Sequence, residues 1–336
     1  MNAHLSVQPL VPAWQTELAK AFTNITDLLD FLNLQPEGLP LSDQAIQNFS
    51  MRVPVGFANC MEKGNPNDPL LKQVLPVSDE LNTFPDFIND PVGDLEAAKL
   101  GGIIHKYHGR ILLITTGGCA INCRYCFRRN FPYADLQMNK TRLSLVLQYL
   151  HDNPDISEVI LSGGDPLLLN DNRLGQLVEK ISQFHHIQRI RIHSRIPIVL
   201  PSRITPQLLE IFSRIPQQII MVLHCNHGNE ISPEVITACS LLKQHQILLF
   251  NQAVLLKDVN DQAEQLIALS EKLFANNIIP YYLHLLDKAT GTGHFDVKTS
   301  RAISIMNEVK ANLPGYLVPK LVREIPGESS KTGVFF

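Results

Sequence analysis

Residues 111–127 read ILLITTGGCAINCRYCF, an aliphatic and β-branched run, a glycine pair, and then cysteines at 119, 123 and 126. The run has the composition of a buried strand, and Gly117–Gly118 marks the turn that ends it. The same pattern recurs downstream in EVILS (158–162), RIRIH (189–193), IIMVLH (219–224), ILLFNQ (247–252) and PYYLHL (280–285). Amphipathic stretches such as 171–184 and 260–275 separate these runs. Largely apolar strands alternating with helices imply a parallel sheet covered by helices. The expected architecture is a partial (β/α)6 barrel, with function at the C-terminal ends of the strands. The polar residues agree with that placement. Cys119 follows the first run, Gly163, Gly164 and Asp165 the second, and Ser194 and Arg195 the third; His224 closes the fourth, Gln252 closes the fifth, and Asp287 follows the sixth.

Residues 1–98 read as an N-terminal helical extension whose segments are broken by polar loops, NLQPEGLPLSD (33–43) and GNPNDP (64–69), and no catalytic constellation is visible there. Residues 99–336 form the barrel unit. The chain of 336 residues has 29 basic and 32 acidic side chains, a balance that marks no nucleic-acid or anionic-membrane binder. A small molecule or a specific protein is the expected partner. No stretch of about 18 apolar residues predicts a membrane span. Of six cysteines, three crowd into 119–126 while Cys60, Cys225 and Cys239 are scattered, which is not a disulfide framework. The opening MNAHLSVQPLVPAWQTELAK has no basic segment followed by an apolar one, so a cytoplasmic location is expected.

Three thiolates at i, i+4 and i+7 can converge on one iron–sulfur cluster if the loop wraps round it. A [4Fe–4S] cube held by Cys119, Cys123 and Cys126 keeps one iron open. That iron can chelate the amino and carboxylate groups of S-adenosylmethionine, whose reduction by an external electron donor gives a 5′-deoxyadenosyl radical. Zinc is one alternative, and would need a fourth ligand from elsewhere. Buried structural cysteines are another. Gly163 and Gly164, within SGGDP (162–166), permit close backbone approach beside the cluster. A purely structural turn remains open for that motif.

With SRIPIVLPSRITP (194–206), NQAVLLKDVND (251–261), PYYLHLLD (280–287) and EIPGESSKTG (324–333) added, the chain resembles the lysine 2,3-aminomutases from about residue 60 onward. The resemblance implies a [4Fe–4S] cluster, S-adenosylmethionine and pyridoxal 5′-phosphate, and movement of the α-amino group of lysine to its β-carbon. It implies that Lys331 forms the internal aldimine and that Arg110 meets the cofactor phosphate. Arg128 would pair with the substrate carboxylate, and Asp287 with Glu324 would hold the ε-ammonium. The region around Gly163, Gly164, Asp165, His224 and Gln252 would receive S-adenosylmethionine, with His224 and Gln252 as a hydrogen-bonded pair. The free-lysine enzymes have aspartate where this chain has Glu324, and tyrosine where it has His284.

The free-lysine enzymes also continue into a further C-terminal domain used in subunit association, whereas this sequence ends at Phe336, five residues after Lys331. That brevity and Glu324 resemble the branch that makes (R)-β-lysine from (S)-lysine for modification of elongation factor P, with a separate ligase as functional partner. A free-lysine mutase giving (S)-β-lysine is the alternative. A homo-oligomer is compatible with either.

Overall fold

The computed structural model describes residues 12–133 and 138–335. Nine strands form one sheet in the order of the sequence: β1 (Ile103–Tyr107), β2 (Arg110–Thr116), β3 (Glu158–Gly163), β4 (Arg189–Ser194), β5 (Gln218–Leu223), β6 (Leu248–Val254), β7 (Ile278–His284), β8 (Lys320–Arg323) and β9 (Thr332–Gly333). Strands β2 to β8 are parallel, and β1 and β9 pair antiparallel at the two edges. A principal helix follows each of β2 to β7, spanning Lys140–Asp152, Asp171–Ser182, Pro206–Ser213, Pro233–Gln244, Ala263–Ala275 and Thr299–Asn312. The six expected βα units are present, arranged as a partial barrel. The sheet adds what short sequence runs do not reveal: β8 is only KLVR, too short to show a period.

Local chemistry fixes where the helices begin. Asn139, Asn170, Thr205 and Ser232 each accept a hydrogen bond from the backbone N–H three residues on. Pro206 and Pro233 take the first helical position, where a missing N–H costs nothing. The strands are two-faced, because successive side chains point to opposite sides. On β4, Ile190 and Ile192 are buried in the apolar layer under the helices, whereas Arg189, Arg191 and His193 face the barrel interior. The interior is a cavity lined by polar and apolar side chains rather than a filled core.

The N-terminal region is helical in short pieces of four to seven residues. Its Trp14, Leu28, Phe57 and Leu70 belong to the same continuous apolar cluster as the barrel helices. It also grips the cysteine loop. The Asn122 N–H donates to Arg52 O (3.0 Å) and the Arg124 N–H to Gln73 O (2.9 Å). The Arg124 guanidinium is fully buried and is held by Glu80 (2.8 and 2.6 Å), Phe49 O (2.6 Å) and Ala45 O (3.0 Å), while Glu80 Oε2 also takes Arg129 at 2.6 Å. One buried carboxylate thus pairs with two guanidiniums on the loop. Among the described residues no helix is long and apolar enough to cross a membrane.

Removing a single partner from a buried ion pair strands the other charge. Glu80→Gln should lower unfolding stability by about 3 kcal/mol in chemical denaturation. An unchanged midpoint would show that the loop does not depend on this clamp.

Candidate active site

The barrel interior opens into a cavity of about 1050 Å³. One part of its wall is the loop that follows β2. Cys119, Cys123 and Cys126 are free, half-buried, and line this cavity together. The loop is set by the β3 turn: the Gly164 N–H donates to Thr116 O (2.7 Å) and the Asp165 N–H to Gly118 O (2.8 Å). A Cβ on Gly164 would stand 2.1 Å from Gly118 O, and Gly163 has φ +121°. The glycine pair therefore permits an approach of backbone to the cysteine loop itself, besides bordering the cavity. The Asp165 carboxylate is committed locally, accepting from Ser194 Oγ (2.7 Å) and from the N–H groups of Arg195 (2.8 Å), Leu167 (3.1 Å) and Ile196 (3.2 Å). It ties the β3 turn to the β4 turn.

Arg195 is the hub behind the cysteines. Nη1 donates to Cys123 Sγ (2.6 Å) and the Tyr125 hydroxyl (2.7 Å), and Nη2 to Gln73 Oε1 (2.7 Å) and Glu230 Oε2 (3.0 Å). Asn226 completes the set by donating to Gln73 Oε1 (3.0 Å) and to the Tyr125 hydroxyl (2.7 Å). As free thiols, Cys119 and Cys126 resist ionisation. Burial, then the neighbouring Cys126, Asp165 and Cys123, push Cys119 well up, and burial with Cys123 pushes Cys126 to about 11. Thiolates so placed need added positive charge, which ligated iron supplies. Among the described residues no three His, Cys, Asp or Glu side chains come close enough to hold a single ion.

A second charged cluster lies where the two edges of the sheet meet the cavity. Lys331 Nζ donates to Glu324 Oε2 (2.6 Å), and Glu324 Oε1 accepts from Lys106 Nζ (3.0 Å). Lys106 Nζ is 2.6 Å from Asp94 Oδ1, and Asp94 Oδ2 takes the Arg128 guanidinium at 2.7 Å. Arg128 also donates to Ser162 Oγ (3.3 Å). Burial alone would raise the Glu324 carboxyl, yet the Lys331 and Lys106 ammoniums hold it down at about 2. Asp287, on the same wall, is pushed up to about 7 by burial, with Lys331 opposing and Glu324 reinforcing that shift. The structure thus brings Lys331, Glu324, Asp287 and Arg128 into one electrostatic unit. Lys106 and Asp94, which join them, escape sequence reading because each is an isolated charge beside a short element.

Arg110 stands at the opposite end of the strands, its guanidinium over the Tyr107 ring at 4.7 Å, with no carboxylate partner among the described residues. His224 and Gln252 both line the cavity. The expected bond between them is absent among the described residues, and His224 instead packs edge-on against His193, ring centroids 5.9 Å apart. Burial keeps His224 neutral, with a value lowered to about 3. Nε2 of His193 and of His284 are buried without a hydrogen-bond partner and border the same cavity. Three thiols, a lysine amine, an uncommitted arginine and two unpaired imidazole nitrogens form a donor set that fits a cluster, an adenosyl group and a pyridoxal phosphate.

A family model described as the radical SAM superfamily matches residues 113–269. The L-lysine 2,3-aminomutase of Escherichia coli (strain K12) is 48% identical over 320 residues, which is 95% of this chain and 93% of that protein. That of Buchnera aphidicola subsp. Baizongia pistaciae is 46% identical, covering 95% of this chain and 94% of its own length. The L-lysine 2,3-aminomutase of Clostridium subterminale is 33% identical, covering 96% of this chain and 77% of that protein. With its cysteine loop facing its lysine cluster across one cavity, the chain belongs to the lysine 2,3-aminomutase family within the radical SAM superfamily.

Proposed function

We propose that the protein is a lysine 2,3-aminomutase that converts (S)-lysine to (R)-β-lysine for modification of elongation factor P. One observation carries the lysine reading: Lys331, Glu324, Asp287 and Arg128 share a cavity with the cysteine triplet. When bound, the cluster with S-adenosylmethionine supplies the 5′-deoxyadenosyl radical, and pyridoxal phosphate supplies the aldehyde that takes up an amine.

The chain's own residues do the holding. Cys119, Cys123 and Cys126 would ligate the cluster, and Arg195, donating to Cys123 Sγ, would stabilise its thiolate. Lys331 Nζ is the amine for the cofactor aldehyde, kept in place by Glu324. Arg110, with no acid to neutralise it, suits a phosphate. Arg128 would take the substrate carboxylate, and Asp287 with Glu324 the distal ammonium, because a cation taken into a closed site needs compensating charge. Acids at 287 and 324 would repel a substrate ending in a carboxylate. Glu324 in place of the aspartate of the free-lysine enzymes supports the elongation factor P branch, because the extra methylene changes the reach to the substrate.

Cys126→Ala should abolish the iron and sulfide, about four of each per chain, that anaerobic purification gives for a [4Fe–4S] site. Lys331→Ala should keep both but lose the pyridoxal absorbance band and the amino shift; a retained band with full turnover would remove Lys331 from its role. The carboxyl of Asp287 titrates at about 7 and holds a cation only when ionised, so kcat/KM for lysine should fall as pH drops below that value. Asp287→Asn should weaken lysine binding and erase that limb of the profile. Anaerobic incubation with (S)-lysine, reductant and S-adenosylmethionine should yield (R)-β-lysine on chiral analysis. An (S)-β-lysine product would overturn the elongation factor P branch and leave the aminomutase reading standing.

A further inference from the structure

An amino acid with charge at both ends is held in one pose only if the two charge-binding groups keep a fixed separation. In this cavity those groups are joined. Lys106 Nζ donates to Val92 O (2.6 Å) and Glu324 Oε1 (3.0 Å) and lies 2.6 Å from Asp94 Oδ1. An ammonium has three N–H groups, so all of those of Lys106 are committed within the protein. It has none left for a substrate. Its side chain is 14% exposed and that of Asp94 4%, so the bridge is shielded from solvent and weakly screened by salt.

What Lys106 does for its neighbours is specific. It takes one oxygen of Glu324 and leaves Oε2 as the oxygen directed at Lys331. It takes Oδ1 of Asp94 and leaves Oδ2 to the Arg128 guanidinium. Both carboxylates are thereby fixed in rotation, and each presents a single defined oxygen to its second partner. Asp94 is held ionised, since Arg128 and Lys106 together outweigh the burial that would protonate it.

We infer that Lys106 is a positioning residue that sets substrate length, because its one ammonium fixes the separation between Glu324, at the distal-ammonium end, and Arg128, at the carboxylate end. The inference rests on the lysine reading proposed above. Lys106→Met removes the ammonium while keeping an unbranched stem, and leaves Asp94 and Glu324 free to rotate apart. Lys106→Arg keeps the charge.

The test compares the loaded wild-type enzyme with Lys106→Met and Lys106→Arg on lysine and on ornithine, which is one methylene shorter, with ornithine read as substrate or as competing ligand. Lys106→Met should raise KM for lysine about tenfold or more, with a smaller change in kcat, and lower the preference for lysine over ornithine about tenfold. Iron content and the pyridoxal absorbance band should stay at wild-type values, and Lys106→Arg should restore much of the preference. An unchanged KM and preference in Lys106→Met would overturn the inference. So would loss of the cofactors together with activity in both variants, which would assign Lys106 to general structure. A wild-type enzyme inactive on lysine would overturn the functional reading itself, and this inference with it, before any variant is made.

Discussion

The sheet runs in order from β1 to β9, and the described pairings do not join its two edges by backbone hydrogen bonds. Charge spans the seam instead. Lys106 on β1 meets Glu324 just after β8, and Glu324 holds Lys331 just before β9. An unclosed sheet edge normally has to be covered or paired. The outer edge of β1 is met by the preceding segment, where the Lys99 N–H donates to Ile103 O (2.7 Å), and the charged side chains span the gap between the edges. The pairs are buried enough to be worth more than surface bridges, which contribute little, and they alternate in sign, so each member has an opposite charge beside it.

The other half of the site depends on a different constraint, the close passage of two glycine turns. The cysteine loop lies against the β3 turn so tightly that Gly164 has no room for a Cβ beside Gly118. Below that contact, Arg195 ties Cys123, Tyr125, Gln73 and Glu230 into one network. Gln73, Glu80, Arg52 and Asp94 all come from the region before the barrel. The N-terminal segment, which shows no catalytic pattern of its own, is the scaffold of the cysteine loop and of the Arg128 clamp.

These two assemblies set charged and polar groups into an open barrel interior. In a filled barrel the inward residues are large aliphatics packed in layers. Here Arg110, Arg191, His193, His224, Tyr282 and His284 face inward among apolar neighbours such as Ile160, Ile220, Val222 and Phe250, and the continuous apolar layer lies on the outer face beneath the helices. Buried imidazoles there stay neutral because burial penalises their charged form, which suits hydrogen bonding to a ligand rather than salt-bridging.

The sequence by itself determined the alternation of strand and helix, the six βα units and the cysteine spacing, because hydrophobic periodicity and turn residues are local signals. It also singled out Lys331, Asp287, Glu324 and Arg128 through motifs that resemble one family. Only the tertiary structure decided how these residues are wired. Lys106 and Glu324 are 218 residues apart, Arg124 and Glu80 are 44 apart, and no local pattern relates such partners. The short strands β1, β8 and β9, the local task of Asp165 and the packing of His224 against His193 likewise follow from where the chain returns on itself. Ion pairs and close backbone contacts depend on distance in space, and a sequence records distance only along the chain.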